Sequence, residues 1–276
     1  MGRGALPVRE AMRPRNRANE FQCERRQVMR WGAGGALTAV MGAWAGQPAL
    51  AQAQAQAQAP DAATVQRSFS GRAVHAETGL WLYTEQHQQT LRAGRWVAGT
   101  IRYVAPQGQL LGEKKLEFGK DRFVPVMRTV YPTLQEEEAI TQVADSTVTM
   151  ETVKAGQRKT REVARTAGLA VDSGFHVFVQ DRLEDLAAGR TVQMQLGVIS
   201  QFDHFRFRIR RAEAPAGPVI RLLVEADSML RLLVPTVKLA YDLRSRDMLE
   251  YEGLSNLVDP QTRKAPVVRI TYDYSA

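Results

Sequence analysis

The chain has a single cysteine, Cys23, and that residue precedes the most apolar stretch of the sequence. A lipoprotein's acylated cysteine would follow such a stretch, so no lipid anchor of that kind, no disulfide and no thiol chemistry is expected downstream. The apolar stretch itself, Trp31 to Ala45, covers fifteen positions; a membrane-spanning helix needs about 20. Clustered basic charge is also missing once the leader is set aside. The formal net charge is +8, but residues 1–51 hold eight of the 37 basic and three of the 29 acidic residues, which leaves 29 against 26 for the rest. A surplus of three, spread over the remaining chain, makes no electrostatic case for nucleic-acid binding.

Catalytic signatures are equally sparse. Gly-x-Ser-x-Gly is absent, and Gly253-Leu254-Ser255-Asn256-Leu257 carries Leu where the second glycine should stand. Gly32-Ala33-Gly34-Gly35 lies inside the leader, so no phosphate-binding loop remains. His75, His176 and His204 are scattered singly, and no metal site or cofactor is expected from them. Asp203 and His204, adjacent on a strand, should point to opposite faces.

What is present begins with an export address. Arg25-Arg26, the apolar stretch and a small-x-small site at Ala49-Leu50-Ala51 are the three parts of a secretory signal. Two apolar residues at the second and third positions after the Arg pair, Val28 and Met29, resemble a twin-arginine signal, while a Sec signal with a basic start has nearly the same form. Residues 1–51 are thus expected to be a signal with an over-long start, and the mature protein is placed in the periplasm. Residues 52–67, opening on alternating Gln and Ala, read as a disordered leader. Residues 68–276 read as one β-rich domain.

From Ser68 onward, short segments of Val, Ile, Leu, Tyr, Phe and Thr recur at intervals of about ten residues between Gly, Pro, Asp and Asn, the rhythm of an antiparallel sheet of about a dozen strands. In Phe205-Arg206-Phe207-Arg208-Ile209-Arg210 a period of two puts three apolar residues on one side, toward the core, and three Arg on the other. The polar stretch 242–247 predicts a hairpin between 239–241 and 249–251, and 259–262 predicts another for the last pair. Residues 172–189 differ: Phe175, Phe178, Val179, Leu183 and Leu186 follow helical spacing, with Asp172 or Ser173 as cap and Gly189 as stop. The fold expected is a curved antiparallel sheet, half-barrel-like, wrapped around this one amphipathic helix. Residues 132–144 read as a second short helix or a loop.

Tyr83, Glu85, His87 and Gln89 share one strand face. That face is either a solvated polar surface or, through Glu85, His87 and Tyr83, an acid-base site. The Arg206, Arg208, Arg210 row is either a solvated outer face or a binder of phosphate or carboxylate groups. The apolar run around Leu232, in residues 227–235, is either a buried strand or the border of an apolar cavity.

Tyr83-Thr84-Glu85-Gln86-His87, the run from Ile101 to Gly108 leading to Glu113-Lys114-Lys115-Leu116-Glu117-Phe118, and Tyr251-Glu252-Gly253-Leu254-Ser255-Asn256 together resemble a family of uncharacterised exported proteins of Gram-negative bacteria. More distantly, the expected architecture is similar to the half-barrel of periplasmic lipoprotein carriers. Export, the absence of catalytic motifs, the excess of apolar strands over helices and that similarity together lead us to expect non-enzymatic binding of an apolar or amphipathic, lipid-like ligand, with Arg206, Arg208, Arg210, Phe175, Phe178 and Leu232 as contacts. An envelope-directed hydrolase using Glu85 and His87, and an assembly partner in the envelope, are the alternatives.

Overall fold

The computed structural model describes residues 63–215, 217–227 and 235–275; the stretch expected to be an export signal, most of the expected Gln/Ala leader and Leu232 lie outside the described residues. Among the described residues, fifteen strands form one curved, unclosed sheet in the order β8-β7-β6-β5-β4-β3-β2-β1-β15-β14-β13-β12-β11-β10-β9. The first half of the chain thus meanders outward in one direction and the second half returns from the opposite edge. The two meet where β1 (Thr64–His75) pairs antiparallel with β15 (Val267–Asp273). Every pairing is antiparallel except that of β9 (Leu169–Val171) with β10 (Val192–Val198).

The remaining strands are β2 (Trp81–Arg92), β3 (Arg95–Val104), β4 (Leu110–Glu117), β5 (Val126–Tyr131), β6 (Glu136–Val143), β7 (Thr147–Lys154) and β8 (Gln157–Ala164) on one arm. On the other arm are β11 (Asp203–Arg211), β12 (Val219–Ala226), β13 (Val237–Asp242) and β14 (Met248–Leu254). Register shifts in the β1/β2, β2/β3, β3/β4, β6/β7 and β13/β14 pairs mark irregularities that add to the natural twist. The arms consequently approach each other: a Cβ placed on Gly197 of β10 would lie 3.3 Å from Met150 Cε of β7. The missing side chain at Gly197 leaves room for Val171, whose Cγ2 would lie 2.7 Å from such a Cβ, as well as for Met150.

Alternation dictates which face is covered. In β11, Phe207 and Ile209 are buried, whereas the intervening arginines project from the other face. The predicted hairpin forms between β13 and β14, with Tyr241 opposite Met248, and β14 pairs with β15 as expected from 259–262. β1 begins at Thr64, so residues 64–67, expected to be leader, instead pair with Arg92 to Gln89 in a long β1/β2 ribbon.

The single helix expected over 172–189 is two short ones, α1 (Gly174–Gln180) and α2 (Leu183–Ala187). The chain turns at Arg182, whose φ of −119° and ψ of 9° are not helical. The turn sends Phe178 into the core from α1 and Leu183 and Leu186 from α2, all three at most 2% exposed. The Arg182 guanidinium covers the Phe178 ring at 3.7 Å. Gly189, with φ of 86°, follows α2 in the left-handed conformation that suits a stop. Residues 132–144 are not helical beyond one 3-10 turn at Pro132–Leu134; most of them form β6. Its Glu136-Glu137-Glu138 run is compatible with a strand because Arg263 and Arg128 neutralise Glu136 and Glu137. Among the described residues, no helix is long and apolar enough to cross a membrane.

Candidate functional site

The sheet leaves a cavity of about 670 Å³ against the start of α1. Its walls come from both arms: Ile101 on β3, Phe205 on β11, Val224 on β12 and Ile270 on β15, with Phe175 contributed by α1. This volume falls within the ~300–1,000 Å³ of typical small-molecule sites, and largely apolar walls with a few placed polar groups are their usual construction.

The polar groups centre on β2. Glu85 and His87, on the face predicted to carry both, are 2% and 8% exposed and line the cavity. The solvated reading of this face is therefore replaced by an interior one. Neighbouring strands explain it: Phe69 of β1 stands beside His87, Tyr103 of β3 beside Glu85 and Ile101 beside His87, so the polar pair sits in an otherwise apolar layer. His87 Nε2 donates to Glu85 Oε2 at 2.9 Å, and the imidazole stacks on Phe69 with ring centres 4.3 Å apart. The direction of that bond follows from chemistry, because a carboxylate only accepts.

Tyr272 of β15 completes this arrangement by reaching over β1 to donate to Glu85 Oε2 at 3.1 Å. Gly71 makes that reach possible. It lies between the two in the sheet register, and a Cβ there would come within 2.7 Å of the Tyr272 ring. Burial, reinforced by the Glu85 charge, holds the Tyr272 phenol well above its ordinary pKa, so it remains a donor. After these bonds, Glu85 Oε1 and His87 Nδ1 have no partner among the described residues.

Tyr83 is buried on the same face, but its hydroxyl pairs with Ser255 Oγ at 2.9 Å instead of joining Glu85 and His87. Ser255 also accepts from the Leu257 backbone N–H, so it serves the turn after β14. The acid-base trio suggested by sequence is thus a pair with a tyrosine from β15, and Tyr83 stands apart.

A second polar cluster lies where α1 begins. Lys114 of β4 donates to both carboxylate oxygens of Asp172 at 2.7 and 2.6 Å, and Asp172 precedes α1 with a φ of 51°. Burial disfavours the charged form of each, yet their mutual attraction outweighs it: the Lys114 pKa is raised and the Asp172 pKa lowered. Glu138 of β6 also lines the cavity; burial, with the Asp172 charge, raises its pKa. His176 of α1 stacks on Tyr241 and bonds its hydroxyl at 2.9 Å, and burial lowers its pKa to about 4.

The arginine row is elsewhere. Arg208 and Arg210 share Glu225 of β12 on the side opposite Phe207, and Arg206 stands 3.9 Å from Asp227; none of the three lines the cavity. Phe175 does line it, whereas Phe178 is fully buried in the packing of α1 against the sheet. Sequence reasoning missed Tyr272, Lys114, Asp172, His176 and Glu138 as site residues. Lys114 did carry a signal, since it shares a strand face with Gly112 and Leu116, an apolar side on which a lysine needs an anionic partner. Among the described residues, no three His, Cys, Asp or Glu side chains are placed to hold a metal ion.

No family model and no curated protein matches the chain. A solved structure of a β-barrel-like protein of domain of unknown function DUF1849, from Brucella abortus, is similar at 7% identity and a TM-score of 0.37, covering 78% of this chain and 98% of that one. A likeness of that strength leaves the reading of the site to its own geometry.

Proposed function

We propose that this protein is exported to the periplasm and there binds one apolar or amphipathic, lipid-like molecule without transforming it. The observation that carries the reading is the 670 Å³ cavity between sheet and α1, with apolar walls and a small buried polar centre. Such a ligand would leave water for a surface already shaped to receive it, with stabilisation of about 25 cal/mol per Å² of apolar area buried. Native mass spectrometry with lipid extraction, on protein recovered from the periplasm of a Gram-negative host, tests it. A retained amphipathic molecule at fixed stoichiometry is expected, and Leu196→Trp, which projects bulk from the cavity wall, should reduce its occupancy. Recovery of folded protein without any bound molecule counts against the reading.

A second reading, acid-base chemistry on envelope material, is favoured by the buried Glu85 to His87 bond. Ser173 and Ser200 line the cavity, but among the described residues no seryl hydroxyl is hydrogen-bonded to Glu85 or His87, so this reading takes water as the nucleophile. That reading predicts empty wild-type protein and a molecule trapped by Glu85→Gln.

A further inference from the structure

The cavity's polar centre has a definite hydrogen-bonding polarity. Glu85 Oε2 already accepts from His87 and Tyr272, while Oε1 has nothing. A carboxylate oxygen is an acceptor only, so what completes Oε1 must bring a proton. His87 donates from Nε2, which leaves its buried Nδ1 without a partner among the described residues as well. Both side chains are more than nine-tenths buried, and a buried polar atom without a partner costs about 1–3 kcal/mol. A ligand group that donates to Oε1 would remove that cost.

Charge points the same way. Three carboxyl groups, Glu85, Glu138 and Asp172, line the cavity, against one Lys or Arg among the described lining residues, Lys114. That lysine is committed to Asp172 through both carboxylate oxygens. An anionic head would enter with no free cation among the described lining residues to receive it, beside a carboxylate in a poorly solvated space.

We infer that the molecule bound here presents a hydrogen-bond donor of zero or positive charge, a hydroxyl or an ammonium, to Glu85 and His87, and that carboxylate and phosphate heads are excluded. The inference rests on the binding reading above and narrows it to a ligand class. It also assigns the head-group role to β2 and not to the arginines of β11, which face away from the cavity.

The test compares four amphiphiles of equal chain length, decanol, decylamine, decanoate and decyl phosphate, by isothermal titration calorimetry of the purified protein at neutral pH. Decanol and decylamine should bind at least about tenfold more tightly than the two anions, since one charge-assisted hydrogen bond against an unpaired buried charge exceeds the 1.4 kcal/mol of a tenfold ratio. Glu85→Gln, nearly isosteric, should bring the ratio close to one. Equal or tighter binding of decanoate or decyl phosphate by the wild-type protein overturns the inference and leaves the binding reading standing. Binding of none of the four overturns both. The wild-type comparison decides without any variant; if Glu85→Gln keeps its native circular dichroism and an unchanged preference, the assignment to Glu85 is wrong.

Discussion

Replacing Lys114 by Met tests the electrostatic link between the sheet and α1. The lysine side chain is 4% exposed and that of Asp172 18%, with the ammonium 2.6 and 2.7 Å from the two carboxylate oxygens. Removing one partner of a buried pair typically costs about 3–5 kcal/mol, because the other charge stays in place unpaired. Here Asp172 retains bonds from the Ser173 N–H and hydroxyl, which puts the expected loss near the lower end, about 3 kcal/mol. For a domain of this size that corresponds to a Tm decrease of roughly 6–12 °C. Adding Asp172→Asn removes the stranded charge, and Asn tolerates the positive φ, so the double variant should recover about 2 kcal/mol.

The pair also sets a pH window. Asp172 has a folded pKa below its unfolded 3.8, so its contribution is present above that value and disappears as pH falls through the folded pKa. Lys114 is raised above 10.5, so its contribution is complete below that value and disappears as pH rises through the folded pKa. Urea denaturation followed by circular dichroism from pH 3 to 11, on wild type, single and double variants, reads all of this. A Lys114→Met penalty under about 1 kcal/mol, or no recovery in the double variant, would refute the assignment of stability to the ion pair.

Two other predictions concern α1. His176, with its pKa lowered to about 4 mainly by burial, should stay uncharged through neutral pH; an NMR titration of its ring protons near 6.5 would contradict the buried contact with Tyr241. Its contribution is fully present above about 6.5 and falls away toward pH 4, by roughly 3 kcal/mol at most. Gly174→Ala would put a Cβ 1.8 Å from the Phe123 carbonyl oxygen, a backbone atom that cannot step aside, so a loss of more than about 3 kcal/mol or failure to fold is expected. Gly119→Ala, with nothing within 4 Å of the new Cβ, should stay within about 0.5 kcal/mol of wild type in the same denaturation assay.

The local chemistry of residues was enough to define the β-rich class and the inward row of Phe205, Phe207 and Ile209. It also located the turn that joins β13 to β14 and the shared face of Glu85 and His87. These follow from a two-residue period and from turn-forming side chains, which act over a few positions. The same period cannot tell which side of the sheet is inside when the row is polar. That was decided by Phe69, Ile101 and Tyr103 on flanking strands, which draw the Glu85 face into the core. β6 was read as a helix or loop because its run of carboxylates suits a strand only beside basic partners such as Arg128 on β5, which lie outside the run itself. The helix stripe in 172–189 was legible, but its division at Arg182 answers to where the sheet offers surface for Phe178, Leu183 and Leu186. Lys114 meets Asp172 across 58 residues of chain, and Glu85 meets Tyr272 across 187. Such contacts exist only because the first and last strands pair and the curled sheet brings its two arms around one cavity. Short-range pattern specified the strands, and long-range closure made the site.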